Sequence, residues 1–250
     1  NDYKGDLNTT IHLMEKAMDK AESSNNKNLK SWSYTNIADY YGHAGRIADS
    51  YKYYLKALKL NPKDAYAKKG IVWIVYSHEK NGKEALRILN TITEVYDTPE
   101  YDLLKAEIHD ILGDSEAKTA SLQEYAKKVD NQNYGDMYNA FSVDFYLDEA
   151  KRYDKALELA EVEVLNRPTP ESYGLLAKTL LKMGKKKKAL EIVESKIIEQ
   201  TYEPNILLTV ARVLKANGKE YKVKYLKEAL MESGYEMGTL VLNEIVALWQ

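Results

Sequence analysis

Along this chain apolar residues recur at intervals of three and four positions and almost nowhere alternate strictly with polar ones. Tyr173, Leu176, Ala177 and Leu180 fall on one helical face, and beyond Gly184 so do Ala189, Ile192, Val193 and Ile197. That period belongs to an amphipathic helix and not to a half-buried strand. Two such helices flanking one short turn make a hairpin, and the expected fold class is all-α.

The hairpin recurs. Pro99, Pro170 and Pro204 each precede an alanine by seven residues (Ala106, Ala177 and Ala211). Each proline suits the first position of a helix, where its missing N–H leaves no bond unmade, and Thr98 and Thr169 stand before two of them as N-caps. Gly45, Gly82, Gly113, Gly184 and Gly218 read as turn glycines with spacings of 37, 31, 71 and 34, the 71 being two periods with one glycine missing near Lys151. A period of about 34 built from two helices is a helical-hairpin solenoid.

These hairpins resemble the tetratricopeptide repeat, whose signature runs W-x2-L-G-x2-Y in the first helix and A-x3-F, then P, in the second. The first full unit, residues 31–64, carries Tyr34, Ile37, Ala38 and Tyr41, then Gly45, then Ser50, Tyr54, Ala57 and Pro62. Further units fall at about 65–98, 99–133, 134–168, 169–203 and 204–235. In the second, Gly82 lies only three residues before Ala85, which reads as a shortened turn; in the third, Lys105 and Lys118 stand at sites expected to be apolar or small. Residues 1–30 read as half a repeat: one helix with Leu7, Ile11, Met14, Ala17 and Met18 on its apolar side, then a polar loop. Residues 236–250 read as a capping helix with Leu240, Val241, Ile245, Val246, Leu248 and Trp249. The resemblance implies a right-handed α-solenoid of about 14 helices. It also leaves an open N-terminal edge, where self-association is expected.

In proteins of this family the first helices line a concave groove that receives an extended or helical peptide. By register the resemblance places Trp32, Thr35, Asn36 and Asp39 there, then Tyr66, Lys69, Trp73 and Tyr76, then Glu100, Leu103, Glu107 and Asp110. Tyr138, Phe141 and Phe145 follow, then Glu171, Lys178 and Lys182, then Leu208, Arg212 and Lys215. Such a groove would run from aromatic and acidic to basic. One subclass clamps the C-terminal carboxylate of chaperones with Lys and Asn. Thr35 and Asp39 occupy the first-repeat clamp sites here, and Asp39 would repel a carboxylate.

Composition narrows the chemistry. Only 12 Gly and 5 Pro in 250 residues favour long helices and short turns. Absence of Cys excludes disulfides, thiolate catalysis and zinc ribbons. With 36 basic and 38 acidic residues the net charge is -2, without the basic footprint of a nucleic-acid binder. The longest apolar run, Ile71 to Tyr76, is far below the roughly 18 to 20 residues that span a bilayer. The 21 Tyr against 2 Phe suit half-exposed surfaces, apolar on one side and wet on the other.

His78-Glu79-Lys80-Asn81-Gly82 approaches a zinc-protease motif but has Gly82 where the second ligand belongs. No nucleotide-binding or nucleophile-elbow motif occurs, so neither enzymatic activity nor a cofactor is expected. His43, His78 and His109 lie near the ends of three consecutive first helices, as turn-packing residues or, alternatively, as a metal or pH-sensing rim. Lys185–Lys188 fall on a turn, either simply solvated or forming an anionic docking patch together with Lys178, Lys182, Arg212, Lys215, Lys219, Lys222 and Lys224.

The expected function is a non-enzymatic scaffold that binds a protein or peptide in its groove. The alternatives are a structural subunit of a bacterial envelope or secretion assembly, docked through its terminal helices, and a metal carrier using the rim histidines. A start without an initiator Met and the lack of Cys fit a periplasmic or secreted protein, with the cytoplasm as the alternative.

Overall fold

A computed structural model of the chain describes residues 5–249, the side chain of Gln132 excepted; among the described residues there is no β-strand. They form two compact units, one built mainly on Asp6–Lys128 and the other mainly on Val129–Met237 with 241–249.

The first unit contains α1 (Leu7–Glu22), α2 (Lys27–His43), α3 (Ile47–Leu60), α4 (Ala65–Trp73), α5 (Gly82–Thr93), α6 (Pro99–Ile111) and α7 (Ser115–Val129). The second contains α8 (Asn139–Asp144), α9 (Tyr153–Asn166), α10 (Pro170–Lys182), α11 (Lys186–Ile192), α12 (Pro204–Ala216), α13 (Glu220–Val223), α14 (Lys227–Glu232) and α15 (Gly234–Ala247). A π-helical turn prolongs α4, α8 and α11, over Ile74–His78, Phe145–Glu149 and Val193–Ile197. A 3-10 turn over Lys224–Leu226 joins α13 to α14 in one bent helix, and α15 is kinked at Gly238 (φ 81°).

Alanines set how closely the helices pack. Ala38, Ala57, Ala67 and Ala85 in the first unit and Ala156, Ala160, Ala177, Ala189 and Ala211 in the second are wholly buried. A methyl at the crossing point lets neighbouring axes come within the usual 8–10 Å or so. Larger side chains then fill the gaps: Ile37, Ile74, Leu89 and Ile108 in the first unit, and Leu214, Leu230 and Ile245 in the second. Each contributes about 1.5–3 kcal/mol on leaving water. Where even alanine is too large the chain has glycine. A Cβ on Gly70 would lie 2.1 Å from the Tyr54 ring, and one on Gly174 would lie 2.7 Å from Ile206 Cδ1.

The turn between first and second helix requires one residue in the left-handed region. Gly45, Gly113, Gly184 and Gly218 supply it with φ between 70° and 76°, and Lys80 (φ 57°) and Lys151 (φ 54°) supply it in the other two hairpins. The expectation near Lys151 holds, because the lysine itself takes the missing glycine's place. The assignment of Gly82 is corrected: Gly82 is the first residue of α5, and Lys80 makes the turn. With Lys80 and Lys151 counted, the turn spacings become 35, 33, 38, 33 and 34. Both lysines curl back to donate to a carbonyl three residues earlier, Ser77 O and Asp148 O. Satisfying a C-terminal carbonyl offsets part of the strain of a left-handed residue that has a Cβ.

At the N-terminal edge, α1 buries Ile11, Met14, Met18 and Ala21. Asp6 caps it by accepting from Thr9 N at 3.1 Å. Its solvent face carries His12, Lys16 and Lys20, with Leu13 as the large apolar residue exposed there.

Candidate functional site

The predicted groove residues separate into three groups: those that are presented, those that are buried, and those that are neutralised. Most of the presented group lies on α2 and α4. Ser31 Oγ donates to Asp64 Oδ2 at 3.0 Å and ties the starts of the two helices together. Trp32, Asn36 and Asp39 share one face of α2, and Asn36 Nδ2 holds Trp32 O at 2.7 Å. Asp39 accepts a short hydrogen bond from Tyr54 and a second from the Tyr66 hydroxyl at 2.8 Å. Burial pushes the Asp39 carboxyl above the ordinary range, while the two phenols work against that rise. Trp32 and Tyr66 are 53% and 56% exposed, and Lys69 is exposed on the next turn of α4.

Thr35 and Tyr76 are corrections. Thr35 is buried and donates to Trp32 O at 3.0 Å. Tyr76 is buried beside half-buried Trp73, their rings edge-on at 5.6 Å, and its hydroxyl donates to Glu107 Oε1 at 2.7 Å. Tyr76 therefore links the π-helical end of α4 to α6 and offers no face to a ligand. Burial pushes the Glu107 carboxyl up, and nearby Asp110, itself paired with Lys118 at 3.1 Å, adds to the rise. Glu100 and Leu103 are half-buried on the same helix.

In the second unit Tyr138 and Leu208 are also buried, which corrects their placement as groove contacts. Tyr138 packs edge-on against Tyr134 at 5.0 Å, Phe145 is half-buried against Tyr146, and Phe141 stays 48% exposed. The predicted basic end is corrected as well. Lys178 lies between Asp144 (2.8 Å) and Asp148 (2.9 Å), and Lys182 pairs with Asp148 at 2.8 Å. Burial alone would lower the Lys178 ammonium, but the two carboxylates hold it above its ordinary range. Burial likewise works to raise Asp148, and the two lysines still hold it below the ordinary carboxylate range. Arg212 pairs with Glu244, and Lys215 donates to Leu248 O at 2.6 Å. Glu171 is exposed and accepts from Thr201 at 3.4 Å. These cations serve internal carboxylates and carbonyls before any partner arrives.

His43 ends α2, His78 ends the π turn after α4, and His109 lies in the last turn of α6. Among the described residues no three His, Asp or Glu side chains are arranged to hold a metal ion. None of the described helices is long and apolar enough to cross a membrane.

Residues 33–64, which span most of α2 and all of α3, match the family model of the tetratricopeptide repeat. No match is found among curated proteins. Among solved structures, a tetratricopeptide repeat protein from Parabacteroides merdae is similar over 98% of this chain and 93% of its own, with 17% sequence identity and a TM-score of 0.55. A repeat match inside the first unit, a shared fold along nearly the whole chain, and hairpins with a left-handed turn every 33 to 38 residues agree: the chain carries a tetratricopeptide repeat at residues 33–64 and has the fold of a tetratricopeptide repeat protein along nearly its whole length.

Proposed function

We propose that this protein is a non-enzymatic scaffold that holds a segment of a protein partner on the α2–α4 face of its first unit. Tetratricopeptide repeats generally mediate protein–protein interaction. The observation that supports this face is a pair of half-exposed rings, Trp32 on α2 and Tyr66 on α4, on the face that also holds a carboxylate fixed by two phenols. Large aromatic side chains lose little entropy when they are covered, and they dominate binding energy where water is excluded around them. Asp39 is held in place by the two phenols, so a donor from the partner would meet an acceptor already oriented.

Selection of displayed peptides on the full chain tests this reading. The wild type is expected to enrich a consensus sequence. Trp32→Ala combined with Tyr66→Ala should bind those peptides at least about a hundredfold more weakly, since each truncated anchor costs on the order of 2 kcal/mol. Both side chains are half-exposed, so the melting curve should stay near that of the wild type. Equal binding by a folded double variant would remove this face from the account.

A further inference from the structure

The second unit places cations where helix chemistry prefers acceptors. Arg152, Lys185 and Lys219 stand immediately before α9, α11 and α13, and none of these side chains makes a capping hydrogen bond. An N-cap ordinarily carries an oxygen that accepts from the first free N–H groups, and the positive end of the helix disfavours a cation. Second helices α5 and α7 of the first unit follow that preference. Asn81 accepts from Glu84 N at 3.2 Å, and Asp114 accepts from Ala117 N at 3.0 Å. Arg46, before α3, also caps nothing, but Asp49 neutralises it at 2.9 Å.

The three basic turns are neighbours. A cavity of about 420 Å³ lies between 151–155 of the first and Met183 of the second. Asn217 Nδ2 donates to Lys186 O at 3.1 Å and ties the second to the third. Along this rim some cations are matched: Glu194 pairs with Lys219 (2.6 Å) and Lys222 (3.3 Å). Lys185–Lys188 are all exposed and make no ion pair among the described residues.

We propose that this rim, centred on Lys185–Lys188, docks an acidic polypeptide segment of a partner. Four consecutive exposed lysines at one turn, next to a turn that carries Lys151, Arg152 and Lys155, draw in an anion. The chemistry favours spaced carboxylates over a continuous polyanion. Asp148, Asp154 and Glu194 are interleaved along the same three turns. A phosphate backbone or an anionic bilayer laid across the rim would press on those carboxylates, whereas side-chain carboxylates of a peptide can reach the lysines between them. Lysine, a compact charge without the bidentate fork of arginine, also suits this looser recognition.

Fluorescence anisotropy with the full chain tests it, using a labelled octaglutamate peptide, its octaglutamine counterpart, phosphatidylserine vesicles and a short DNA duplex as probes. The octaglutamate should bind most tightly, weaken as salt rises, and lose about tenfold or more in affinity when Lys185–Lys188 are all changed to alanine. Lys187→Glu alone should weaken it in the same direction, which keeps the test valid should the quadruple variant melt early. Trp32→Ala with Tyr66→Ala should leave octaglutamate binding unchanged, separating the rim from the α2–α4 face. Octaglutamate binding that is undiminished in the folded lysine variants, or tighter binding to vesicles or DNA than to the peptide, would overturn the proposal.

Discussion

The two units solve the same hairpin with different turn chemistry. In the first, α5 and α7 start behind Asn81 and Asp114, whose side chains take up a free N–H at 3.2 and 3.0 Å. In the second, Arg152, Lys185 and Lys219 hold the corresponding positions and take up none. A missing cap costs about 0.5–2 kcal/mol, and a cation against the helix dipole costs a few tenths more. Incurring that cost at the Arg152 and Lys185 turns leaves positive charge on the rim, while Lys219 at the third is matched by Glu194. The first unit instead concentrates polar interactions on its α2–α4 face, around Asp39.

Packing differs between the units as well, and the largest mutational effect is expected there. Gly70→Ala in the first unit would drive a methyl to 2.1 Å from the Tyr54 ring, which is held by Asp39 and cannot turn away. Gly174→Ala in the second would meet only the far end of Ile206, at 2.7 Å. Urea unfolding should show a loss of about 3 kcal/mol for the first and about 1 kcal/mol or less for the second, since a flexible methyl can rotate aside and alanine favours the helix. Equal losses would mean that the two glycines serve the same role.

Smaller effects are expected at the left-handed turn residues. Gly184→Ala finds open space around its Cβ but keeps φ at 76°, so it should cost about 1 kcal/mol in strain alone. Lys151→Gly relieves that strain and forfeits the bond to Asp148 O, for a net gain of about 0.5 kcal/mol. A loss of stability in Lys151→Gly would show that the ammonium cap outweighs the backbone strain.

Most of the architecture is legible in the sequence because it follows from local rules. The periodicity around Leu176 and Leu180, the prolines at 99, 170 and 204, and the 34-residue spacing act through residues a few positions apart. The turn at Lys80 escapes that reading. A search for glycine finds Gly82, two residues away, and nothing local announces that a lysine can occupy the left-handed region while bonding back to Ser77.

The character of the groove escapes it for a different reason. Lys178 looks like a free groove cation until Asp144 and Asp148 are seen to flank it, and those residues lie 34 and 30 positions earlier in the chain. Tyr76 follows the groove register, yet its hydroxyl is turned to Glu107 on the next hairpin. Asp39 is placed correctly by register, but its two phenol donors, Tyr54 and Tyr66, come from other helices.

Exchanging turn chemistry tests the central contrast most directly. Arg152→Asp combined with Lys185→Asp gives two second-unit helices the acceptor caps that α5 and α7 already have. Urea unfolding of this variant should show stability raised by about 1–3 kcal/mol, while anisotropy on the same samples shows weaker octaglutamate binding. Unchanged or lower stability together with undiminished binding would contradict the account, because the cations would then neither displace useful caps nor form the docking surface.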